Sequence, residues 1–142
     1  GLWAQTARRL FARAAAQAHA VAALEVRVGA VALCRGRLTD LLLPPGASDR
    51  TPKPPPLDVV ADERDGRVHV RGLTAAVVED AAALEAAMER ARDHATQLGP
   101  AHAVYRVDVS STHPTTRLTS QGRLTFASLA APAPARDASA EE

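Results

Sequence analysis

The chain has 142 residues, which is enough for one domain with a hydrophobic core but not for two domains of ordinary size. Its 17 basic and 16 acidic residues give a formal net charge of +1, so no strong field draws it to nucleic acid or to an anionic membrane. A single cysteine, Cys34, excludes an internal disulfide and fits a reducing compartment, and no apolar run approaches the roughly 20 residues that span a bilayer. Because the first residue is Gly1 rather than methionine, we expect a processed chain or a piece of a longer one.

The first two predicted elements are an amphipathic helix over residues 2–18 and a buried strand over residues 23–34. In the helix, apolar side chains recur at helical spacing while arginines lie mostly on the other side. The apolar helix positions are Trp3, Ala7, Leu10, Phe11 and Ala14. From Leu24 the period changes to two, with Glu25 and Arg27 facing away from the apolar positions. This change predicts a strand that enters the interior of the domain.

Turns and a short hairpin fill the region between that strand and the second helix. The stretch "GRLTDLLL" predicts a short turn or helical piece. The proline-rich residues 44–56 predict a surface loop, because proline cannot donate a backbone hydrogen bond. Two short alternating stretches flank "DERDG", in which Asp65 and Gly66 suit a tight turn. We therefore expect a β-hairpin at the edge of the sheet.

A second helix over residues 80–97 and two further strands complete the predicted elements. Asp80 suits the N-cap of this helix, and Gly99 suits its end. The apolar stripe of the helix consists of Leu84, Ala87, Met88, Ala91 and Ala95. Alternating apolar residues over 102–110 and a further apolar run over 122–129 predict two strands that pair antiparallel. The residues on one face of the first of these strands are Ala103, Tyr105, Val107 and Val109.

These elements predict an α/β domain with a mixed β-sheet flanked by helices. The strands 23–34, 102–110 and 122–129 are expected to be neighbours, with the two helices covering them. The domain spans residues 1–129. Residues 130–142 carry no large apolar side chain, so we expect them to form a disordered tail.

No set of side chains in the sequence has the spacing of a metal site. The histidines lack the paired spacing with cysteine or carboxylate residues that zinc requires, so we expect no bound metal and expect the histidines at the surface or at strand edges. They are His19, His69, His94, His102 and His113. Cys34 lies at a strand end and is interpreted as a small packing residue rather than a nucleophile.

The order of these elements resembles the middle of a kinesin motor head, and four stretches match that family in register. "GLWAQTARRLF" is similar to the family's Gly-Ile-Ile-Pro-Arg-x-x-x-x-Leu-Phe, and "VGAVALCRGRLTDLL" to its Val-Ser-Tyr-Leu-Glu-Ile-Tyr-Asn-Glu-x-Leu-x-Asp-Leu-Leu. "VRGLTAAVVEDAAALEAAMERA" resembles the strand and helix after the family's Val-x-Gly-Leu, and "HAVYRVDV" resembles its His-Ala-Val-Phe-x-x-x-Val strand. The matching positions of the first two stretches are Gly1, Leu2, Leu10, Phe11, Val28, Leu38, Asp40, Leu41 and Leu42. The resemblance implies part of a P-loop NTPase-like kinesin motor fold.

The stretch "GRLTFASLAAPAP" falls on the family's Gly-Lys-Leu-x-Leu-Val-Asp-Leu-Ala-Gly-Ser-Glu, which senses the γ-phosphate of ATP. The resemblance places Ser128 at the family's aspartate and Ala131 at its glycine, and it retains only His102 of the first switch. A hydroxyl cannot supply the aspartate's charge to the waters of magnesium. The sequence contains no GxxxxGK[ST] phosphate loop, but in the family that loop precedes the position matching Gly1, so its presence upstream in a longer chain stays open. The family binds ATP and magnesium, but for this segment we expect no catalytic residue, no bound cofactor and no ATPase activity.

The resemblance also implies microtubules as the family's partner and a cytoplasmic, cytoskeleton-associated location. Kinesin heads use the neighbourhood of the hairpin near the filament, which makes Arg64, Arg67 and Arg71 candidates for filament contact. The alternative is a solvated strand face. We expect association through a longer parent protein, with weak or absent binding by the segment itself. A second interpretation stays open, in which the chain is a non-motor module that uses the sheet as a scaffold for protein interactions.

Overall fold

Two helices pack on one face of a five-stranded sheet, and a separate hairpin forms a second, two-stranded sheet. The computed structural model describes residues 2–16, 23–44 and 56–130. In chain order the elements are α1 Leu2–Ala16, β1 Ala23–Cys34, β2 Arg37–Asp40, β3 Asp58–Ala61, β4 Val68–Arg71, β5 Ala76–Val78, α2 Ala81–Gln97, β6 His102–Thr112 and β7 Thr119–Ser128. The predicted α/β fold, both helices and the three long strands are confirmed. Most of the proline-rich loop and nearly all of the predicted tail lie outside the described residues.

Strand β1 lies at the centre of the larger sheet. It pairs along nearly its whole length with β6, and β7 continues the sheet beyond β6. On the opposite side of β1, β5 covers the first half and β2 covers the second. Every strand pair in the described residues is antiparallel, so the parallel pairing of a mixed sheet has no counterpart in this part of the chain. Turns join β1 to β2 and β6 to β7, and such short connections permit only antiparallel neighbours.

The prediction of a turn or helical piece for "GRLTDLLL" is wrong for its first half, which forms β2. Arg35 and Gly36 adopt positive φ angles of 52° and 76°, as in the tight two-residue turns that reverse a hairpin. This turn folds Arg37–Asp40 back onto the end of β1, where Val31 faces Asp40 in the register. The side chain at position 35 gives little indication of such a turn, because arginine rarely adopts a positive φ.

The predicted hairpin around Gly66 is confirmed, but its expected position at the edge of the main sheet is wrong. Strands β3 and β4 pair only with each other. Gly66 has a φ of +70°, and its backbone N–H donates to the carbonyl of Asp62 over 2.8 Å. Beside this part of β1, the main sheet is instead continued by β5, which pairs with Val26–Val28 and ends shortly before α2 begins.

The hydrophobic core lies between the helices and the apolar face of the sheet. Val26 and Val28 of β1 and Val107 of β6 are each 1% exposed, while Glu25 and Arg27 point to the opposite face. The predicted alternation is therefore confirmed. The helices contribute the buried residues Ala7, Leu84, Ala87, Met88 and Ala91. Most of these side chains are small, so each contributes little buried apolar area to the core.

Three of the chain's four aromatic side chains meet where α1 crosses β6 and β7. The ring centroid of Trp3 lies 5.0 Å from that of Tyr105 and 4.5 Å from that of Phe126, the latter in an edge-to-face arrangement. Tyr105 and Phe126 are cross-strand partners. Because aromatic rings bury large apolar areas, these contacts help to hold α1 against the sheet.

Burial raises the pKa of the Tyr105 hydroxyl above its ordinary value, and the positive charge of Arg92 opposes that shift in part. In the unfolded chain the hydroxyl loses its proton first, so the folded state binds more protons in this pH range. We therefore expect the free energy of unfolding to fall as the pH rises above about 10. Urea midpoints at neutral and alkaline pH measure this loss. A Tyr105→Phe variant is expected to lose less stability over the same range, and an identical loss in both proteins would contradict the assignment to Tyr105.

Helix α2 begins and ends as predicted. The Asp80 carboxylate accepts a hydrogen bond of 2.7 Å from the backbone N–H of Ala83, which is the N-cap interaction. Gly99 follows the helix with a φ of +83°, and its N–H donates to the carbonyl of Thr96. Neither of the two described helices is long and apolar enough to cross a membrane.

Candidate functional site

The end of β7 and the start of β6 lie side by side and bring two of the three predicted switch positions together. Ser128 is the last residue of β7 and pairs with Ala103, the neighbour of His102. Beyond the strand, the backbone N–H of Ala130 donates a hydrogen bond of 3.0 Å to Nδ1 of His102. The chain therefore stays close to β6 as it leaves the sheet. The third position, Ala131, lies outside the described residues.

Residues 128–130 and His102 offer neutral hydrogen-bonding groups. Because Nδ1 of His102 accepts the bond from Ala130, the proton of the neutral ring is on Nε2. Ser128 is exposed and contributes one hydroxyl. Within the ranges that the structure describes, no group of three or more histidine, cysteine, aspartate or glutamate side chains could hold a metal ion.

The three arginines predicted to contact filaments lie on the separate hairpin and are exposed. Arg64 is in the turn, where its backbone N–H donates to the Asp62 carboxylate over 2.8 Å. Arg67 follows the turn, with its Nε 3.6 Å from the carboxylate of Asp65. Arg71 ends β4 and lies opposite Asp58 in the register.

Acidic residues outnumber arginines on this hairpin. Residues 58–71 contain four carboxylate side chains against three guanidinium groups, so the hairpin has a net charge of −1. The carboxylates are Asp58, Asp62, Glu63 and Asp65. The hairpin is therefore a mixed-charge surface rather than a basic patch.

Asp40 is a buried residue whose structural role the sequence reasoning missed. Only 6% of its surface is exposed, and its carboxylate accepts two backbone hydrogen bonds. One comes from Leu42 over 3.0 Å and the other from Thr74 over 2.7 Å. The second bond spans 34 positions and ties the end of β2 to the segment before β5. An aspartate directly before an apolar run is a weak signal for such a role.

The prediction that the histidines lie at the surface or at strand edges is wrong for His94. This residue is 6% exposed on α2, and its Nδ1 lies 3.2 Å from the carbonyl oxygen of Leu41. It follows Ala91 by three positions, so it falls on the apolar stripe of the helix. The helical spacing could have identified it. His69, His102 and His113 are exposed, and His19 lies outside the described residues.

The face of the sheet opposite the helices carries a charged cluster that sequence reasoning also missed. Asp108 of β6 lies between Arg27 of β1 and Arg123 of β7 in the register. Its carboxylate is 2.6 Å from Nε of Arg123 and 3.0 Å from Nε of Arg106. The buried Nε–H of Arg106 is not aligned with that oxygen, so this second contact is an ion pair without a hydrogen bond.

Comparison with known proteins identifies the fold. No protein-family model and no curated protein matches the sequence. Among solved structures, a fast kinesin studied for its ATPase mechanism and its interactions with microtubules superposes with a TM-score of 0.74 at 19% identity, covering 89% of this chain and 35% of that one. The C-terminal motor and motor homology domain of Kar3Vik1, fused to a synthetic heterodimeric coiled coil, superposes with a TM-score of 0.72 at 15% identity, covering 94% of this chain and 34% of that one.

The chain thus spans about a third of the length of these two neighbours. The sequence identities are low, so the likeness concerns the fold rather than any particular residue. The three long strands, both helices and the order of these elements are those expected from the sequence resemblance. The chain has the fold of part of a kinesin motor domain.

Proposed function

We propose that this chain is a divergent segment of a kinesin-like motor head that keeps the sheet as a scaffold and lacks nucleotide chemistry. The observation that carries the proposal is the fold likeness over 89% and 94% of the chain to two motor structures. One of those proteins is a kinesin with an ATPase mechanism and interactions with microtubules. By analogy, a longer protein that contains this segment would be associated with microtubules in the cytoskeleton.

The residues at the end of β7 do not fit magnesium or a γ-phosphate. Ser128 offers a neutral hydroxyl at the position that the resemblance assigns to an aspartate, and hard cations favour charged oxygen ligands. The Ala130 amide, a possible donor to phosphate, is hydrogen-bonded to His102 instead. The only lysine of the sequence, Lys53, falls in the proline-rich stretch of residues 44–56 and not in a phosphate-binding sequence motif. These features support the proposal that the segment neither hydrolyses nor specifically senses ATP.

The hairpin supports only weak contact with a filament. Its three arginines are outnumbered by carboxylates on the same hairpin, most of them in the turn, and exposed ion pairs contribute little. Attraction to an acidic surface such as tubulin is therefore small at physiological salt. We infer that filament binding by the parent protein would depend on segments other than this one.

Co-sedimentation with microtubules tests this inference. We expect the unmodified chain to show no saturable micromolar binding at physiological salt, because the hairpin has no net positive charge. The comparison uses two charge-matched variants, with Arg64, Arg67 and Arg71 replaced by glutamate in one and the exposed Arg8, Arg9 and Arg13 of α1 replaced in the other.

Saturable binding that only the hairpin variant abolishes would contradict the inference and make the hairpin a filament-binding element. Equal, weak sedimentation of all three proteins is the expected result. If both variants lose sedimentation to the same degree, the weak sedimentation depends on the net charge of the chain and not on the hairpin. That result would also agree with the inference.

A further inference from the structure

A charged cavity opens on the face of the sheet that α1 and α2 leave uncovered. Its volume is about 570 Å³, within the range of small-ligand sites. Strands β1, β6 and β7 contribute most of its lining, and Arg67, directly before β4 of the hairpin, contributes the rest. The charged side chains that line it are Glu25, Arg27, Arg67, Asp108 and Arg123. The cavity thus joins two sheets that share no hydrogen-bonded strands.

The strand register concentrates guanidinium groups in this cavity. Arg27, Asp108 and Arg123 are consecutive neighbours across three strands, so their side chains emerge from the same face of the sheet. Arg106 lies two residues before Asp108 and therefore on that face as well. The Asp108 carboxylate consequently lies 2.6 Å from Nε of Arg123 and 3.0 Å from Nε of Arg106.

Positive charge exceeds negative charge in the cluster. Four arginines, counting Arg106, lie at or beside the cavity with three carboxylates, those of Glu25, Asp108 and the Arg67 partner Asp65, which leaves an excess of one positive charge. Arg27 pairs with Glu25, and Arg123 pairs with Asp108, in both cases through Nε. The Nη groups of the Arg27 and Arg123 guanidinium groups are then the donors that an incoming ligand would meet.

The arginines at this cavity are accessible. The side chain of Arg27 is 53% exposed, that of Arg123 is 43% exposed and that of Arg67 is 79% exposed, so an anion reaches them without unfolding any element. Like charges held together on a rigid sheet repel one another, and a bound anion relieves that repulsion. Guanidinium forks match the planar or tetrahedral oxygens of carboxylate and phosphate groups.

We propose that this cavity binds an oxyanion, a phosphate or carboxylate group carried by a small ligand, between Arg27, Arg67 and Arg123. The proposal is independent of nucleotide binding, because the cavity lies on a different part of the sheet from the end of β7. Arg67 belongs both to this cavity and to the hairpin arginines considered for filament contact. Asp108 opposes the ligand by its charge and at the same time positions Arg123. Neutralising Asp108 is therefore expected to strengthen binding rather than weaken it.

Titration of the full chain with inorganic phosphate, and separately with citrate, tests the proposal at constant ionic strength. The readout is the shift of backbone amide resonances of residues 108 and 121–123 in NMR spectra. We expect Arg27→Gln and Arg123→Gln each to raise the dissociation constant for phosphate about tenfold, the loss of one charge-assisted contact. Arg37→Gln removes the same charge at the exposed start of β2, and we expect it to change the constant less than about twofold.

Asp108→Asn provides a result of opposite sign, which loss of folding cannot imitate. It keeps the shape of the side chain and removes the negative charge, so we expect phosphate to bind several times more tightly. The tighter of the two anions identifies the chemical class of the ligand. Absence of localised shifts with either anion, or equal weakening by Arg37→Gln and Arg123→Gln, would overturn the proposal.

Discussion

Replacing Trp3 with alanine is expected to lower the free energy of unfolding by about 3 kcal/mol. The indole ring contacts the rings of both Tyr105 and Phe126, and its loss leaves a void between α1 and two strands. The effect is large relative to the total stability of a domain, which is about 5–15 kcal/mol. The measurement is urea unfolding followed by circular dichroism, because the variant loses the chain's single tryptophan as a fluorescent probe.

Trp3→Phe is the matched control for this variant. It keeps an aromatic ring against Phe126, so we expect a loss of about 1 kcal/mol. A loss below that value in Trp3→Ala would contradict the packing of α1 on β6 and β7. The fold assignment would then rest on the sheet and α2 alone.

Replacing Asp40 with alanine is expected to destabilise the protein by about 3 kcal/mol, because two backbone N–H groups lose their acceptor in a partly buried site. Asp40→Asn keeps one carbonyl oxygen in the same place, so we expect about half of that loss. Urea unfolding measures both values. Hydrogen exchange at the Thr74 amide reports separately on its hydrogen bond to Asp40. We expect the protection of this amide to fall in Asp40→Ala.

Asp93→Ala serves as the control for the loss of a carboxylate, since Asp93 is exposed on α2. We expect it to change the stability by less than about 0.5 kcal/mol. Equal stability of Asp40→Ala and Asp93→Ala would show that Asp40 does not connect β2 to the segment before β5.

Hydrophobic period allowed most of the fold to be predicted from the sequence. The bounds of β1 were predicted correctly because alternation over Leu24–Val28 runs directly into uncharged residues. Asp80 and Gly99 marked the ends of α2. Aspartate is one of the few residues that cap a helix N-terminus well, and glycine adopts the positive φ that follows many helix C-termini. Local chemistry and local structure agree at these positions.

Features that depend on long-range pairing could not be predicted in the same way. Strand β2 was missed because its turn places a non-glycine residue, Arg35, at a φ of 52°. The two backbone bonds to Asp40 and the charged cluster around Asp108 arise from register, which brings together residues far apart in the sequence. In the candidate switch site, the antiparallel pairing predicted from the apolar pattern places Ser128 near His102, while nothing in the sequence predicted the hydrogen bond from Ala130.

Thermal unfolding with and without millimolar MgATP tests the central claim, that this motor-like fold lacks a nucleotide site, most directly. A site with micromolar affinity would stabilise the folded state by about 4 kcal/mol under these conditions. For a domain of this size that corresponds to a melting shift on the order of 10 °C. The neutral strand end at Ser128 and the absence of a phosphate loop predict a shift within about 1 °C, the same as with magnesium chloride alone. A clear rise of the melting temperature that requires MgATP and is absent with magnesium chloride would contradict the claim.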